Sequence, residues 1–365
     1  MNRYRIFLWP LSVLYGLITG IRNFLYNTGI LRSVEFRIPV ICVGNITVGG
    51  TGKTPHTEYI ANLLRKDFRV AVLSRGYKRK SRGFLVVKPG SGAEQYGDEP
   101  LQMAEKFQDV LVAVDRNRVK GVRRIMELQP DAEVIILDDA FQHRRITPGF
   151  SILISDFERL YIRDKMLPYG NLSESISNMR RADIILISKS PEDLSPIQRR
   201  LIVKEINKAP YQNLYFTSVT YKALKPVFSF NQQSGEIPDI KKLSGAGVIL
   251  VTGIANPFPL KNIIEQTADE ITQLNYPDHY MFRESDISAI CIAFDRLKSP
   301  VRYIITTEKD SVRLKEFTNI AELIKKSMFY VPVEIWFLND DRDEFNNLIT
   351  EYVRKNKRNN RLSEI

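Results

Sequence analysis

The sequence predicts an α/β fold: a mostly parallel sheet with helices on both faces, plus a smaller second α/β lobe joined by an extended β linker. Three observations carry this. Short apolar runs alternate with helix-length stretches, the pattern of strand–helix–strand units covered on both sides. The first run, Pro39–Val43, feeds into the glycine-rich turn Val48-Gly-Gly-Thr-Gly-Lys-Thr-Pro55. Finally, Asn213–Phe230 is rich in Tyr, Phe, Thr and Val without helical periodicity, and a second α/β alternation follows it. The 365 residues suffice for two domains with separate cores, and a hydrophobic fraction of 44% argues against wholesale disorder.

In chain order, the first element is an amphipathic helix within residues 1–33. Phe7, Leu11, Leu14, Ile18, Ile21 and Leu25 share one face, while Arg5, Ser12, Gly16, Thr19 and Asn23 share another. The uncharged stretch Ile6–Ile21 is shorter than the ~20 residues a span needs, and Pro10, Gly16 and Gly20 interrupt it. It lacks a signal-peptide cleavage site. Tyr4, Trp9 and flanking arginines suit a helix lying in a membrane interface.

Residues 34–212 follow as the nucleotide-binding domain. Its strands are expected at Pro39–Val43, Arg69–Ser74, Val110–Val114, Val134–Leu137, Ser151–Ile154 and Ile184–Ile187. Helices are expected at Lys53–Arg65, Asp115–Leu128 and Pro196–Ile206. The extended linker is 213–230. The smaller lobe, 231–353, should hold strands near Val248–Val251, Tyr303–Thr306 and Phe329–Trp336, with helices at Pro259–Ala268, Glu284–Leu297 and Arg342–Val353. Residues 354–365 read as a basic, frayed tail.

Chemistry enters with the glycine-rich turn. Strand, glycines and Lys-Thr opening a helix form the phosphate cradle of P-loop enzymes. Backbone N–H groups of Val48, Gly49, Gly50, Thr51, Gly52, Lys53, Thr54 and Pro55's turn surround the phosphates. Lys53 reaches the β/γ-phosphates, and the Thr54 hydroxyl suits Mg²⁺. The strict pattern wants glycine where Thr47 stands. The chain is thus expected to bind ATP and Mg²⁺. Asp138-Asp139 ends an apolar strand, where a P-loop protein carries its metal-holding acid. Asp98-Glu99-Pro100 reads either as a second acidic site or as the first turn of a helix. The three histidines all lie beside such motifs: His56, His143 and His279. A kinase acting on a hydroxyl needs a carboxylate, at times through an imidazole, and Asp98, Asp278 and His279 are the candidates.

Composition narrows the partners. Lys plus Arg 53 against Asp plus Glu 42 gives +11, which favours a polyanionic partner. Only Cys42 and Cys291 occur, which excludes a disulfide framework and fits a reducing cytoplasm. No zinc-ligand spacing and no G-x-S-x-G element are present. A regulatory or targeting NTPase of the deviant-loop type would carry a lysine just before Gly-Gly, where Val48 stands, which weakens that rival. A nucleic-acid-dependent ATPase lacks support beyond charge.

Several motifs in order resemble the tetraacyldisaccharide 4′-kinase family, the lipid A 4′-kinases of Gram-negative bacteria. They are Val43-Gly-Asn45, Gly49-Gly-Thr-Gly-Lys-Thr-Pro55, Leu73-Ser-Arg-Gly-Tyr77, Gly97-Asp-Glu-Pro100 and Asp138-Asp-Ala-Phe-Gln-His143. Gly253-Ile-Ala-Asn-Pro257, Pro277-Asp-His279 and Thr307-Glu-Lys-Asp310 complete the set. The resemblance implies transfer of the ATP γ-phosphate to the 4′-hydroxyl of a tetraacylated glucosamine disaccharide 1-phosphate. The place would be the cytoplasmic face of the bacterial inner membrane, reached peripherally or monotopically, with no nucleic acid and no obligate protein partner. It further implies that Asp98 with His279 activates the hydroxyl, with Lys53 as a third catalytic residue. Thr54, Asp138, Asp139 and Glu174 would serve the metal. The family's Gly-Pro-Leu-Arg-Glu stretch reads here Gly170-Asn-Leu-Ser-Glu174, so Ser173 replaces an arginine, and Ala140 stands where glycine is common. Basic clusters at Lys78–Arg82, Arg116–Arg118 and Arg123-Arg124 are candidates for the lipid phosphate or anionic headgroups.

Overall fold

The structure, a computed structural model, describes residues 7–228 and 237–362. Helix α1 (Trp9–Asn27) precedes strand β1 (Val40–Gly44) and helix α2 (Lys53–Leu64). Next come β2 (Val70–Ser74), β3 (Leu85–Val86), α3 (Ala93–Tyr96), α4 (Asp98–Lys106), β4 (Leu111–Val114), α5 (Arg118–Leu128) and β5 (Val134–Asp138). Strands β6 (Phe150–Asp156) and β7 (Ile184–Ser188), helix α6 (Pro196–Ile206), then β8 (Asn213–Tyr221) and β9 (Lys225–Pro226) continue the chain. After them run β10 (Ala246–Thr252), α7 (Phe258–Thr267), β11 (Glu270–Asn275), α8 (Glu284–Arg296), β12 (Val301–Thr307) and α9 (Glu308–Leu314). The last elements are α10 (Glu322–Lys326), β13 (Met328–Val331), β14 (Val333–Phe337) and α11 (Arg342–Leu362).

The large sheet runs β14-β8-β7-β6-β1-β5-β2-β4-β3, and the small one β11-β10-β12-β13-β9. All pairs in the large sheet are parallel except β14 with β8 and β3 with β4 at its two edges. Strands β1, β5 and β7 are buried along their whole length, which is why they read as unbroken apolar runs and not as alternating ones. Their alternate side chains feed two cores, one on each face: Ile41, Val43 and Ile136 on one side, Cys42, Ile135 and Leu137 on the other. Gly44 ends β1 because a Cβ there would lie 2.7 Å from that of Phe141.

The expected extended segment 213–230 carries strands of both sheets: β8 lies parallel to β7 in the large sheet, and β9 edges the small sheet. Its residues 229–230, and 231–236 of the expected lobe, fall outside the described residues. The run expected as one strand at Phe329–Trp336 is two, split at Pro332, whose missing N–H interrupts the ladder. Strand β14 then returns to the large sheet, and α11 packs Phe345, Ile349 and Val353 into that core. The second lobe therefore ends near Pro332. Nor does the tail fray at residue 354: α11 continues to Leu362. The rest of the tail, 363–365, lies outside the described residues, as do Tyr4, Arg5 and Ile6.

Helix α1 is amphipathic with its polar side turned inward. Ser12, Thr19 and Asn23 are buried, and the Ser12 hydroxyl donates to the Met166 carbonyl at 2.7 Å. Tyr15 donates to Ser173 O and Arg22 to Gln142 O. The opposite face leaves Phe7, Trp9, Leu11, Leu14, Ile18 and Phe24 each more than half exposed. Among the described residues no helix is long and apolar enough to cross a membrane.

Candidate active site

The turn after β1 and the acidic pair ending β5 sit at the carboxyl ends of neighbouring strands, the edge where open parallel sheets bind ligands. The turn is held from beneath. Lys189 donates to Gly50 O at 2.5 Å, Arg159 to Val48 O at 2.6 Å, Ser188 to Thr51 O at 2.7 Å, and Asn45 to the Thr51 hydroxyl at 2.9 Å. With these carbonyls and this hydroxyl tied down, the open first turn of α2 presents its N–H groups outward. Gly52 caps that turn at φ 85°, a conformation costly for a side-chain-bearing residue. Three members of the expected cradle contribute no free donor: the Val48 N–H is bonded to Asn171 O, the Thr51 N–H to Gly49 O, and Pro55 has none.

Lys53 opens α2 with its ammonium 3.6 Å from Asp139, whose side chain is about half exposed at 48%. Asp138 is buried and accepts from Thr57 at 2.9 Å and Ser74 at 3.0 Å. Burial and the adjacent Asp139 push its carboxyl up. Arg118, 2% exposed, donates to the carbonyls of Asp115, Asp138 and Asp139, so it braces the acidic pair from below and does not reach out as a surface cation. The small sheet's loops face this edge: a Cβ on Gly50 would lie 3.8 Å from that of Ala255.

Across the gap, Asp98 begins α4 and His279 lies in the loop after β11. The structure brings them together, with Nδ1 of His279 2.9 Å from Asp98 Oδ2. His279 sits at φ 57°, and the Tyr77 ring packs edge-on against it at 4.8 Å. Two residues that the motif reading left without a role complete the cluster, both on α9. Arg313 bonds the Asp98 carboxylate and Tyr280 O, and Lys309 reaches Asp98, Glu99, Asp278 and His279. The signal for Lys309 was the charged run Thr307-Glu-Lys-Asp310 after a strand; Arg313 lies beyond that run, about one helical turn from Lys309. Burial would raise the Asp98 carboxyl, but the His279 hydrogen bond and the charges of Lys309 and Arg313 outweigh it and hold it well below the usual carboxylate range. Burial and nearby Asp138 and Asp98 push Glu99 the other way, to about 7, against Lys309.

The remaining expectations divide. His56 is buried, Nδ1 2.7 Å from Gly52 O and Nε2 2.9 Å from the Thr217 hydroxyl, and burial pushes it down to about 4. It ties the cradle to β8 and faces no substrate space. Glu174, expected among the metal residues, is 1% exposed; one of its oxygens is held by Arg181, which also lies over the Phe141 ring, and the other, Oε1, is buried without a hydrogen-bond partner among the described residues. The Lys78–Arg82 cluster is partly spent within the protein, since Lys80 pairs with Glu94 of α3 and Arg79 donates to Gly83 O. A cavity of ≈ 470 Å³ between α1, the start of α5 and the loop after β5 is lined by Arg22, Arg116, Arg118, Gln142, Arg144 and Arg145, among others.

The donor set fits Mg²⁺, a hard cation that needs one or two carboxylates beside substrate phosphates and keeps waters. Thr54, in the first turn of α2, and the half-exposed Asp139 would be the oxygen donors available to such an ion. Among the described residues no group of three or more His, Cys, Asp or Glu is placed to hold an ion.

A family profile described as tetraacyldisaccharide-1-P 4′-kinase matches residues 4–354. The tetraacyldisaccharide 4′-kinase of Bacteroides thetaiotaomicron is 45% identical over 363 residues, covering 98% of this chain and 95% of its own. The protein of that name from Flavobacterium johnsoniae is 42% identical over 358 residues, covering 98% of this chain and 99% of its own. Among solved structures, LpxK from Aquifex aeolicus, crystallised in complex with ATP, aligns with a TM-score of 0.73 at 28% identity. That alignment covers 96% of this chain and 99% of the other.

Proposed function

The chain belongs to the tetraacyldisaccharide-1-P 4′-kinase family, and we propose from this how its residues divide the work of phosphoryl transfer. It is a lipid kinase that uses ATP to phosphorylate the 4′ position of the disaccharide precursor of lipid A. Phosphoryl transfer asks a protein mainly for positioning and charge compensation. The cradle Gly49–Thr54 binds the triphosphate, and Lys53 moves from Asp139 to the β/γ-phosphates. Thr54 and Asp139 would hold Mg²⁺, which would supply charge neutralisation at the phosphates. Asp138 and Arg118 keep Asp139 in place.

The single observation that carries the acid–base assignment is the 2.9 Å contact between Asp98 and His279, made between two lobes beside the cradle. A carboxylate held so far below its usual range is a poor proton acceptor, so Asp98 orients the ring and balances its charge. The imidazole takes the proton of the 4′-hydroxyl as the sugar oxygen attacks the γ-phosphorus and the bond to ADP breaks. Groups acting as one unit lose activity non-additively. We therefore expect Asp98→Ala and His279→Ala each to lower kcat by ~10²–10⁴-fold and the double variant to be little worse than the poorer single one. Full additivity in that kinetic cycle would mean independent roles.

The finer placement rests on α1. Exposed apolar side chains on one face, an inward polar face and the +11 charge support attachment to the anionic cytoplasmic face of the inner membrane, without a span. The basic cavity beside α1 suits the lipid's 1-phosphate, its acyl chains remaining in the bilayer. As units, we propose 1–33 for attachment, 34–221 with 333–362 for nucleotide binding, and 222–332 for the lobe that brings His279.

A further inference from the structure

Lys309 sits at the centre of the charged cluster, and its position fixes the state of the histidine. Its Nζ lies 3.0 Å from His279 Nε2 and 3.1 Å from Asp278 Oδ1. Asp98 Oδ2 and Glu99 Oε1 follow at 3.6 and 3.7 Å. An ammonium has three donors and no acceptor. Nε2 must therefore accept, which puts the ring proton on Nδ1, facing Asp98 Oδ2 at 2.9 Å. A doubly protonated ring would aim an N–H at the ammonium. The helix that carries Lys309 is firmly seated: Thr307 caps it through the Asp310 N–H, and Glu308 pairs with Lys106 of α4 at 3.2 Å.

We propose that Lys309 is a positioning residue for the kinase reaction, holding His279 as the neutral ring with its proton on Nδ1 and its Nε2 lone pair reserved for the acceptor hydroxyl. The proposal rests on the reading of His279 as the proton acceptor. When the 4′-hydroxyl arrives at Nε2, the ammonium retreats onto Asp278 and Glu99, which already flank it. The hydroxyl O–H bond then breaks and an N–H bond forms at Nε2. At the same time the sugar oxygen bonds the γ-phosphorus, the phosphorus–oxygen bond to ADP breaks, and Asp98 balances the new imidazolium. Lys309 in this account sets the starting state and touches neither reacting atom in transfer.

The groups around the ring show what its loss would do. From α4 come Asp98 and Glu99, from the histidine's own loop Asp278, and from the loop after β2 Tyr77 and Lys78. Lys78 is bonded to Asp278 O at 3.4 Å, and Arg313 of α9 is directed at Asp98 and not at the ring. Without Lys309, three carboxylates remain near the imidazole and no cation touches it, an environment that favours imidazolium. An imidazolium cannot take the hydroxyl proton.

The test uses the full chain, with histidine labelled by ¹⁵N, and the variants Lys309→Met and Lys309→Arg. Only three histidines contribute signals. Wild type should show the Nδ1–H, Nε2-acceptor pattern for His279 at neutral pH, and Lys309→Arg should keep it together with most of kcat. Lys309→Met should show the imidazolium pattern, with kcat down by ~10-fold or more near neutral pH and recovering as pH rises. KM for ATP should stay within ~3-fold, because Lys309 is remote from ground-state nucleotide binding. A Lys309→Met variant whose kcat falls equally at every pH, with unchanged His279 nitrogen shifts, would overturn the proposal and leave Lys309 a packing residue. Shifts that change while kcat does not would overturn instead the reading of His279 as acceptor.

Discussion

Replacing Leu14 and Ile18 with aspartate tests whether α1 is the attachment surface. Their side chains point away from the protein, 53% and 58% exposed. Full burial of such a side chain contributes ~1.5–3 kcal/mol, so the exposed half leaves ~1 kcal/mol each to be gained by entering a bilayer. Losing both costs ~2 kcal/mol, or roughly 30-fold in partitioning, and desolvating two carboxylates adds more. Binding to vesicles containing anionic lipid, measured by co-sedimentation, should therefore fall at least ~30-fold. The fold should be spared, because exposed substitutions away from caps and charges change stability by only ~0.5 kcal/mol. Vesicle binding within ~3-fold of wild type, in protein with an unchanged melting temperature, would refute the assignment of this face.

Two further outcomes follow from the site. Thr54→Ala should lower kcat by ~10²-fold or more and raise the Mg²⁺ concentration for half-maximal rate, since it removes one oxygen of the metal's donor set; an unchanged Mg²⁺ titration would remove Thr54 from that set. The His56 ring is held neutral in the folded chain, at about 4 against an ordinary 6.5, so the unfolded chain binds its proton first. Its stabilisation is complete above pH 6.5 and is lost as pH falls towards 4, amounting to roughly 2 kcal/mol by about pH 5. Urea unfolding at neutral pH and about pH 5 should show a smaller loss for His56→Gln, which keeps an amide donor and acceptor without a titrating ring; equal losses would mean that other groups dominate.

What could be read from the sequence depended on how local its cause was. The parallel strands were legible because burial on both faces demands unbroken apolar runs such as Val134–Leu137, and the cradle was legible because its glycines and Lys-Thr are contiguous. Residues 213–221 read as extended from their Tyr, Phe, Thr and Val content, but their place inside the large sheet was not legible, because it is set by tertiary pairing with β7 on one side and with β14, over a hundred residues later, on the other. Pro332 marks where the chain leaves one sheet for the other, yet a lone proline in an apolar run does not say which sheet follows. The Asp98–His279 pairing was inferred from motif company. Its cations Lys309 and Arg313 were missed because α9 turns toward α4 only through tertiary contacts such as Lys106 with Glu308. Glu174 shows the converse: nothing in its local sequence announces the ion pair that one of its oxygens makes with Arg181, seven positions on.

The most direct measurement follows label from [γ-³²P]ATP into purified tetraacylated disaccharide 1-phosphate presented in vesicles, with the product's phosphate located by fragmentation. Wild-type protein should place the label on the 4′-oxygen, and Lys53→Ala, folded and vesicle-bound, should lose at least ~10²-fold of that transfer. Label released as inorganic phosphate with none on the lipid, or transfer that survives in Lys53→Ala within a few-fold, would contradict a kinase built on this cradle.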